Sequence, residues 1–236
     1  MDKSVKGDNM KIVCISASNT AYMGENSAST RVCRLIMKTV SSKIPEASVR
    51  IIPLMNQKIS FCLLCGDCSE NGLCPYDESF NYIFSHLKSA DVIFFVVPHY
   101  APLPSKLLAL FEKIHEILYG SLIKIPQFES PFENTYALVI GHGDLVESRE
   151  TLNYYHEAVI RPVANTLASF GCEIIGYSKE YPKGMPFGLM DETCIQFSGD
   201  SVFPEFIHNW DIIEERINTL VDNLVSAVKV RAVNQI

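Results

Sequence analysis

The feature that constrains the fold most is an alternation between short, strongly apolar runs and longer segments whose apolar residues recur every three or four positions. The short runs are rich in β-branched and aromatic residues, as buried strands are. One of them, DVIFFVV, is apolar at almost every position, which is typical of a parallel strand covered on both faces. Five strands are predicted, at residues 11–16, 49–54, 91–97, 135–140 and 172–177.

Four helices are predicted between these strands. Asp77 and Glu78 precede the second helix, and acidic residues favour a helix start. Pro104 can occupy the first turn of the third helix. Because strands that alternate with helices form a doubly wound parallel sheet with right-handed crossovers, the chain is predicted to be α/β. The four helices are predicted from about residue 26, at 77–89, at 104–118 and at 150–170.

The last part of the chain has a different pattern. Residues 179–204 are rich in proline, glycine and aromatic residues without a regular period, which predicts an irregular segment. Its phenylalanines, Phe187, Phe197 and Phe203, give it enough apolar surface to dock on the rest of the protein. From Pro204 onward apolar residues again fall three or four apart, which predicts a last helix packed on the sheet.

Length and charge narrow the class of protein. A chain of 236 residues that is 47% hydrophobic can bury the core of one α/β domain. A formal net charge of −7 without a long basic run argues against nucleic acid as a partner. Neither a signal peptide nor a stretch long enough to span a membrane is evident, so we expect a soluble cytoplasmic protein that does not bind membranes. In that reducing compartment its eight cysteines are expected to be thiols or metal ligands.

Ligands of an open parallel sheet bind at the carboxyl ends of the strands. The loop after the first strand, SASNT, and the helix start at Asn26 and Ser27 offer hydroxyl, amide and backbone N–H groups that can cradle a phosphate. The alternative is an ordinary serine- and asparagine-rich loop with a helix cap. Because neither a dinucleotide glycine fingerprint nor a Walker loop is present, a mononucleotide fits better.

Two more loops end at the same edge. The loop after the third strand, PHYAPLPS, is rigid and aromatic and can lie against a planar ring. The loop after the fourth, IGHGD, has small residues that allow close backbone approach. Taken alone, Tyr100, His99 and His142 are equally compatible with packing or surface positions.

Four of the eight cysteines lie within thirteen residues, in a C-x2-C-x2-C-x5-C run followed by Pro75. This spacing is close to the run that holds cubane iron–sulfur clusters. A zinc site usually splits its ligands into two separated knuckles, and purely structural thiols are the third alternative. The other cysteines lie in or near apolar segments and are predicted to be buried small hydrophobes. They are Cys14, Cys33, Cys172 and Cys194.

A family resemblance rests on four motifs. The first is KIVCISAS followed by GEN, and the second is CLLCGDC followed by a fourth cysteine and YDES. The third is SADVIFFVVPHY and the fourth is KLLALFEK. These motifs, between about residues 11 and 177, resemble the flavodoxin-like NAD(P)H-dependent FMN reductases, most closely the iron-sulfur flavoproteins. The resemblance implies a five-stranded parallel sheet of order 2-1-3-4-5 with helices on both faces. Length, composition and pattern predict one domain at 11–178 with a cysteine-rich loop at 61–76, a polar tail at 1–10, and a 179–236 segment packed on the same domain.

The resemblance also implies FMN at the carboxyl edge and a homodimer or homotetramer. Electrons are expected to come from NAD(P)H or a reduced carrier, and the partner that donates or accepts them is expected to be a small molecule or a protein. Independently of the resemblance, Tyr100 or His99 of this chain is expected to deliver a proton to the flavin. By the resemblance, a [4Fe-4S] cluster would be held by Cys62, Cys65, Cys68 and Cys74. FMN would be held by Ser16, Ser18, Asn26, Ser27, Pro98, His99, Tyr100, Ala101, Leu103, Gly141, His142 and Gly143.

The chain departs from the family pattern at three positions. The first loop lacks its usual arginine, for which Arg31 and Arg34 are the nearest substitutes. Ala101 and Pro102 replace a glycine in the third-strand loop, and proline offers no N–H. The fourth-strand loop lacks paired glycines.

Three functions are therefore expected as alternatives. The first is an FMN-dependent flavoprotein that passes electrons between FMN and a [4Fe-4S] cluster. The second is a cluster-free NAD(P)H-dependent reductase of FMN or quinone. The third is a non-catalytic flavodoxin-like binding or sensor domain.

Overall fold

A parallel sheet of strand order β2-β1-β3-β4-β5 forms the centre of the molecule, and a further strand, β6, pairs with β4. The computed structural model describes residues 9–20, 23, 26–69, 71–190, 195–196, 205–206 and 210–234. The sheet has the predicted flavodoxin-like order. Its strands are β1 (Lys11–Ser16), β2 (Ser48–Pro53), β3 (Val92–Pro98), β4 (Tyr136–Val146), β5 (Glu173–Ile174) and β6 (Met185–Met190).

Helices cover both faces of the sheet. α1 (Ala28–Lys43) and α6 (Trp210–Asn234) pack on one face. On the other face lie α2 (Glu78–Leu87), α3 (Ser105–Lys124) and α5 (Arg161–Ser169), the last preceded by α4 (Arg149–Tyr155). Within the described part of the chain, no helix combines the length and the apolar character that a bilayer span requires.

Both faces of the sheet must be covered by helices at β3, because every residue of this strand is buried. Ile93, Phe95 and Val97 pack in the layer of α2, α3 and α5. Val92, Phe94 and Val96 pack in the layer of α1 and α6. A strand apolar at every position is stable only between two such layers, as its sequence predicts.

The helix predicted at 150–170 is continuous but changes its winding. Between α4 and α5 lies a π-helical turn, His156–Ile160. Pro162 follows this turn at the start of α5. Because proline lacks an N–H and its ring clashes with the carbonyl four residues earlier, a regular α-helix is disfavoured at that point. The wider turn lets the chain pass Pro162 without ending the helix.

The prediction of an irregular 179–204 segment is wrong for residues 185–190. These residues form β6, which runs parallel to β4 over Ile140–Gly143 and again at Val146. Alternate side chains, Met185 and Phe187, are fully buried. Glycine and proline hide this strand in the sequence, yet Pro186 is tolerated because β6 is an edge strand.

β4 and β5 also differ from their predicted lengths. β4 extends to Val146, six residues beyond its predicted end, because β6 gives its outer half a partner. β5 keeps only two residues of its predicted six and pairs with Tyr136 and Ala137. A short antiparallel pair, β7 (Ile195–Gln196) and β8 (Glu205–Phe206), follows. Most of the predicted tail at 1–10, together with Cys194, Phe197 and Phe203, lies outside the described residues.

Candidate functional site

The loops after β1 and β3 and the outer half of β4 lie side by side at the carboxyl edge of the sheet. β1 lies beside β3, and Ala17 donates its N–H to the carbonyl of Val96 at 2.9 Å. β3 lies beside β4, and His99 donates its N–H to the carbonyl of His142 at 2.6 Å. The sheet therefore brings the three candidate ligand segments close together.

Ser16 and Ser27 form the buried base of the first loop. The Ser16 hydroxyl lies 2.8 Å from the hydroxyl of Thr30, which also accepts a hydrogen bond from Ser27 Oγ at 3.0 Å. Ser27 caps α1 by accepting the Thr30 N–H. These hydroxyls join the end of β1 to the start of α1. Asn26, also predicted as a phosphate ligand, is exposed just before α1.

The upper part of the loop carries the polar groups that face the third-strand loop. Ser18, only 2% exposed, accepts the Thr20 N–H and contacts the Thr20 hydroxyl. Ser18 Oγ and the Asn19 N–H each lie 3.2 Å from the Tyr100 hydroxyl. The Asn19 side-chain oxygen is buried without a hydrogen-bond partner. An unsatisfied buried acceptor beside several hydroxyls indicates space built for a polar ligand.

Two cations near these loops are engaged elsewhere. The Arg31 guanidinium lies 3.8 Å from the centre of the Trp210 ring, so the expectation that it replaces the missing loop arginine is not met. Lys106, in the first turn of α3, donates to the carbonyls of residues 54, 55 and 57. Burial lowers the pKa of Lys106. Anion recognition by the first loop would rest mainly on N–H and hydroxyl groups.

The third-strand loop presents His99 and Tyr100 at the edge, after the buried Pro98. His99 Nε2 shares a hydrogen bond with the hydroxyl of Tyr154 at 2.9 Å, and their rings meet edge to face. Tyr154 was not predicted, because its only signal is its place in the first helix after β4. Ala101 is exposed and Leu103 is half-buried against the core.

The prediction of a loop at residues 141–144 is wrong, because these residues lie within β4, which β6 extends as its partner. The chain's own helix fills one side of this stretch. A Cβ on Gly143 would lie 2.4 Å from the Tyr155 hydroxyl oxygen, and one on Gly141 would lie 2.6 Å from Ile160. Tyr155 is fully buried, and its oxygen accepts the Leu145 N–H at 2.9 Å. Gly141 and Gly143, which were predicted to allow close approach of a ligand, are thus required by the packing of Ile160 and Tyr155 against them.

His142 points to the opposite layer from these glycines. Its ring is 2% exposed, stacks on Phe187 with centroids 5.0 Å apart, and lies 2.8 Å from Ser29 Oγ. Its backbone carbonyl, which accepts from His99, is the part that lies at the edge. The side chain of His142 therefore belongs to the α1 layer, whereas the predicted site would use its backbone.

The four clustered cysteines line one small pocket beside the middle of α3. The pocket has a volume of about 30 Å³, room for about two water molecules. Among the residues that the structure describes, no set of three or more cysteine, histidine or acidic side chains is arranged to hold a metal ion. The predicted cluster stays a prediction. The cysteines are Cys62, Cys65, Cys68 and Cys74.

Asp77 closes the cysteine loop at both ends. Its carboxylate accepts the Phe80 N–H at 2.8 Å, which caps α2, and the N–H and hydroxyl of Ser60 at 2.9 and 3.0 Å. The buried ammonium of Lys113 lies 3.5 Å from this carboxylate and 3.5 Å from the sulfur of Cys74. The sequence indicates Asp77 only as a helix-start residue, and its partners are seen only in the fold.

Three of the remaining cysteines are buried, as predicted. Cys14 and Cys33 are fully buried, and Cys172 is 6% exposed. Burial raises the pKa of all three thiols, that of Cys172 to about 12. They act as small apolar core residues.

Comparison with known proteins gives matches at the level of the family and of the fold. A family model described as NADPH-dependent FMN reductase matches residues 10–155. An NADH:FMN oxidoreductase (EMOB) in its apo form is similar, with a TM-score of 0.52 and 18% identity over 92% of this chain and 89% of that chain. No curated protein matches significantly.

Two further solved structures have the same fold. One is an FMN-dependent NADH-azoreductase from Bacillus anthracis in complex with FMN, with a TM-score of 0.54 and 15% identity over 93% of this chain and 99% of that chain. The other is an oxidoreductase from Corynebacterium diphtheriae, with a TM-score of 0.53, 14% identity and the same coverage of both chains.

Proposed function

Because this chain belongs to the NADPH-dependent FMN reductase family, we propose that it is a cluster-free reductase that binds FMN at the carboxyl edge of β1, β3 and β4. One observation carries the proposal. The family match at residues 10–155 includes all three segments that converge on this edge. The structural neighbours described as NADH:FMN oxidoreductase and FMN-dependent NADH-azoreductase support the same class of chemistry.

The residues at the edge fit FMN. Ser18 and Thr20 supply hydroxyls and Asn19 supplies an N–H for the phosphate, while the orphaned Asn19 oxygen marks polar space beside them. When bound, the flavin supplies reversible two-electron chemistry between a reduced nicotinamide and an acceptor. The protein contributes position, hydrogen bonds and local charge.

His99 and Tyr154 are the proposed proton-holding pair at this edge. His99 Nε2 and the Tyr154 hydroxyl are 2.9 Å apart, so a proton can be held at either atom. Tyr154 is 44% exposed and can exchange that proton with solvent. Such a pair suits acceptors that take up a proton with their electrons, such as a quinone or a free flavin.

The test is direct. Purified protein is titrated with FMN by fluorescence quenching, and oxidation of NADH and NADPH is followed with free FMN, a soluble quinone and ferricyanide as acceptors. Micromolar or tighter FMN binding with sustained NAD(P)H oxidation is expected. Protein that fails to bind FMN at that level would instead match a non-catalytic flavodoxin-like binding domain.

A second candidate keeps the [4Fe-4S] cluster as electron partner of the flavin. The observation in its favour is that all four clustered cysteines line one pocket. Anaerobic purification followed by iron and sulfide assay separates the candidates. Iron and sulfide in equal amounts would support the cluster, and iron-free, flavin-binding protein would support the reductase.

We also propose that the protein forms a homodimer or homotetramer. Large apolar side chains are exposed on the last turns of α3, where Leu122 and Ile123 are 62% and 66% exposed. Contiguous exposed apolar surface of this kind marks association sites in soluble proteins.

A further inference from the structure

The hydroxyl of Tyr100 reaches from the third-strand loop to the first-strand loop. It accepts the Asn19 N–H at 3.2 Å and lies 3.2 Å from the Ser18 hydroxyl oxygen. The Tyr100 side chain is 38% exposed, so it lies at the rim of the edge and not in the core. Both of these hydrogen-bond contacts, with Asn19 and with Ser18, are made by the hydroxyl oxygen of Tyr100.

The groups that Tyr100 contacts are the ones that a phosphate would need. Within the described part of the loop, the Thr20 N–H donates to Ser18 Oγ at 3.2 Å. The Asn19 N–H donates to the Tyr100 hydroxyl, an acceptor that belongs to a different loop. This hydrogen bond is exposed, so the phenol oxygen competes with water and stabilises the loop only by the modest net free energy of one hydrogen bond.

We propose that the Tyr100 hydroxyl is an exchangeable cap on the phosphate-binding loop, which occupies the Asn19 N–H in the empty protein and leaves it when a phosphate binds. The inference rests on the proposed function, since FMN is the phosphate ester expected here. A phosphate oxygen is charged, and hydrogen bonds to it are stronger than those to a neutral phenol oxygen. The exchange is therefore favourable, but its net gain is reduced by the bond that Tyr100 gives up.

This cap makes Tyr100 a specificity-determining residue. A flavin without a phosphate cannot replace the lost bond to Asn19, so it gains nothing by displacing the hydroxyl. A phosphorylated flavin can replace it. Tyr100 is thus expected to affect FMN and riboflavin differently, whereas a residue that only stacks on the flavin ring would affect both equally.

Tyr100→Phe tests the cap, because it removes only the hydroxyl and keeps the ring. FMN should bind about two- to tenfold more tightly, the range expected from removing one competing hydrogen bond, while riboflavin affinity should stay within about twofold. Ser18→Ala should weaken FMN, since it removes a proposed phosphate donor. Tyr119→Phe, an exposed tyrosine on α3, serves as the matched control.

Weaker FMN binding by Tyr100→Phe, or equal changes for FMN and riboflavin, would overturn the inference, because the hydroxyl would then be a ligand or act through the ring. A second readout needs no flavin. The Asn19 amide of ¹⁵N-labelled protein is followed during titration with inorganic phosphate against chloride at matched ionic strength. Phosphate should shift this amide at lower concentration in Tyr100→Phe than in the unaltered protein.

The two readouts also separate this inference from the proposed function. Protein that binds neither FMN nor riboflavin in any variant contradicts the proposed function, while the phosphate titration still decides the cap. If phosphate leaves the Asn19 amide unshifted in both proteins, the cap is wrong whatever the flavin result.

Discussion

Tyr155 shows how one buried side chain determines the shape of the ligand edge. Its ring excludes any side chain at position 143, and its oxygen accepts the N–H of Leu145 beyond the strand tip. Desolvation raises the pKa of its hydroxyl to about 12. Because the unfolded chain has the ordinary value near 10, folding favours the neutral form.

This shift predicts a pH dependence of stability. A group whose pKa is raised by folding contributes stability that is complete below the unfolded value and is lost as pH rises through the folded value. The free energy of unfolding should therefore fall between about pH 10 and 12, and Tyr155→Phe should flatten the fall. Urea unfolding at stepped pH measures it, with Tyr119→Phe as control. An unchanged slope in Tyr155→Phe would contradict the assignment.

A second residue-scale prediction concerns Asp77. Asp77→Ala should destabilise the protein by about 3–5 kcal/mol, because it leaves the buried Lys113 ammonium without its carboxylate and removes the cap of α2. Glu78→Ala, exposed and one residue away, should have little effect. Urea unfolding measures both.

A structural role for Asp77 in the cysteine loop has its own readout. Release of the loop should speed the reaction of its thiols with a disulfide reagent in Asp77→Ala but not in Glu78→Ala. Equal thiol reactivity in the two variants would show that Asp77 does not hold the loop.

At the scale of elements, a partly buried ion pair fixes β6. Glu147, beyond the end of β4, accepts from Arg216 of α6 and from the Gly188 N–H of β6. The exposed pair of Arg149 and Glu180 joins nearby segments without such burial.

Arg216→Ala should therefore lower the free energy of unfolding by roughly 1–3 kcal/mol and increase hydrogen exchange in β6. Arg149→Ala should cost less than about 1 kcal/mol. Unfolding and hydrogen-exchange mass spectrometry compare the two variants. Similar losses in both would mean that the Glu147 pair has no special role.

Sequence patterns predicted elements well where burial on both faces leaves a clear signal, as in β1 and β3. They failed where one element depends on another distant in the chain. The length of β4 depends on β6, and β6 is hidden by Gly184, Pro186 and Gly188. The same limit applies to the site, since the loops were predicted from their strands but the contact of His99 with Tyr154 depends on a helix pitch that no local pattern gives.

At the scale of the whole molecule, the exposed apolar surface at the end of α3 predicts assembly. Replacing Leu122 and Ile123 together by glutamate should lower the mass measured by light scattering, because it places charge in the proposed interface. Val230 and Val233 on α6, 61% and 71% exposed, are the matched control pair. A fall in mass for the α6 pair alone would place the interface elsewhere.

The position beside β4 in the sheet is occupied by two separate strands, β5 and β6. β5 pairs with its first residues and β6 with its last. The partner of the first residues of β4 and the partner of its last residues are thus encoded some ten residues apart and can change independently of each other. Substitutions in β6 can therefore remodel the outer end of β4, at the carboxyl edge of the sheet, while the pairing of β5 with the other end of β4 stays unchanged.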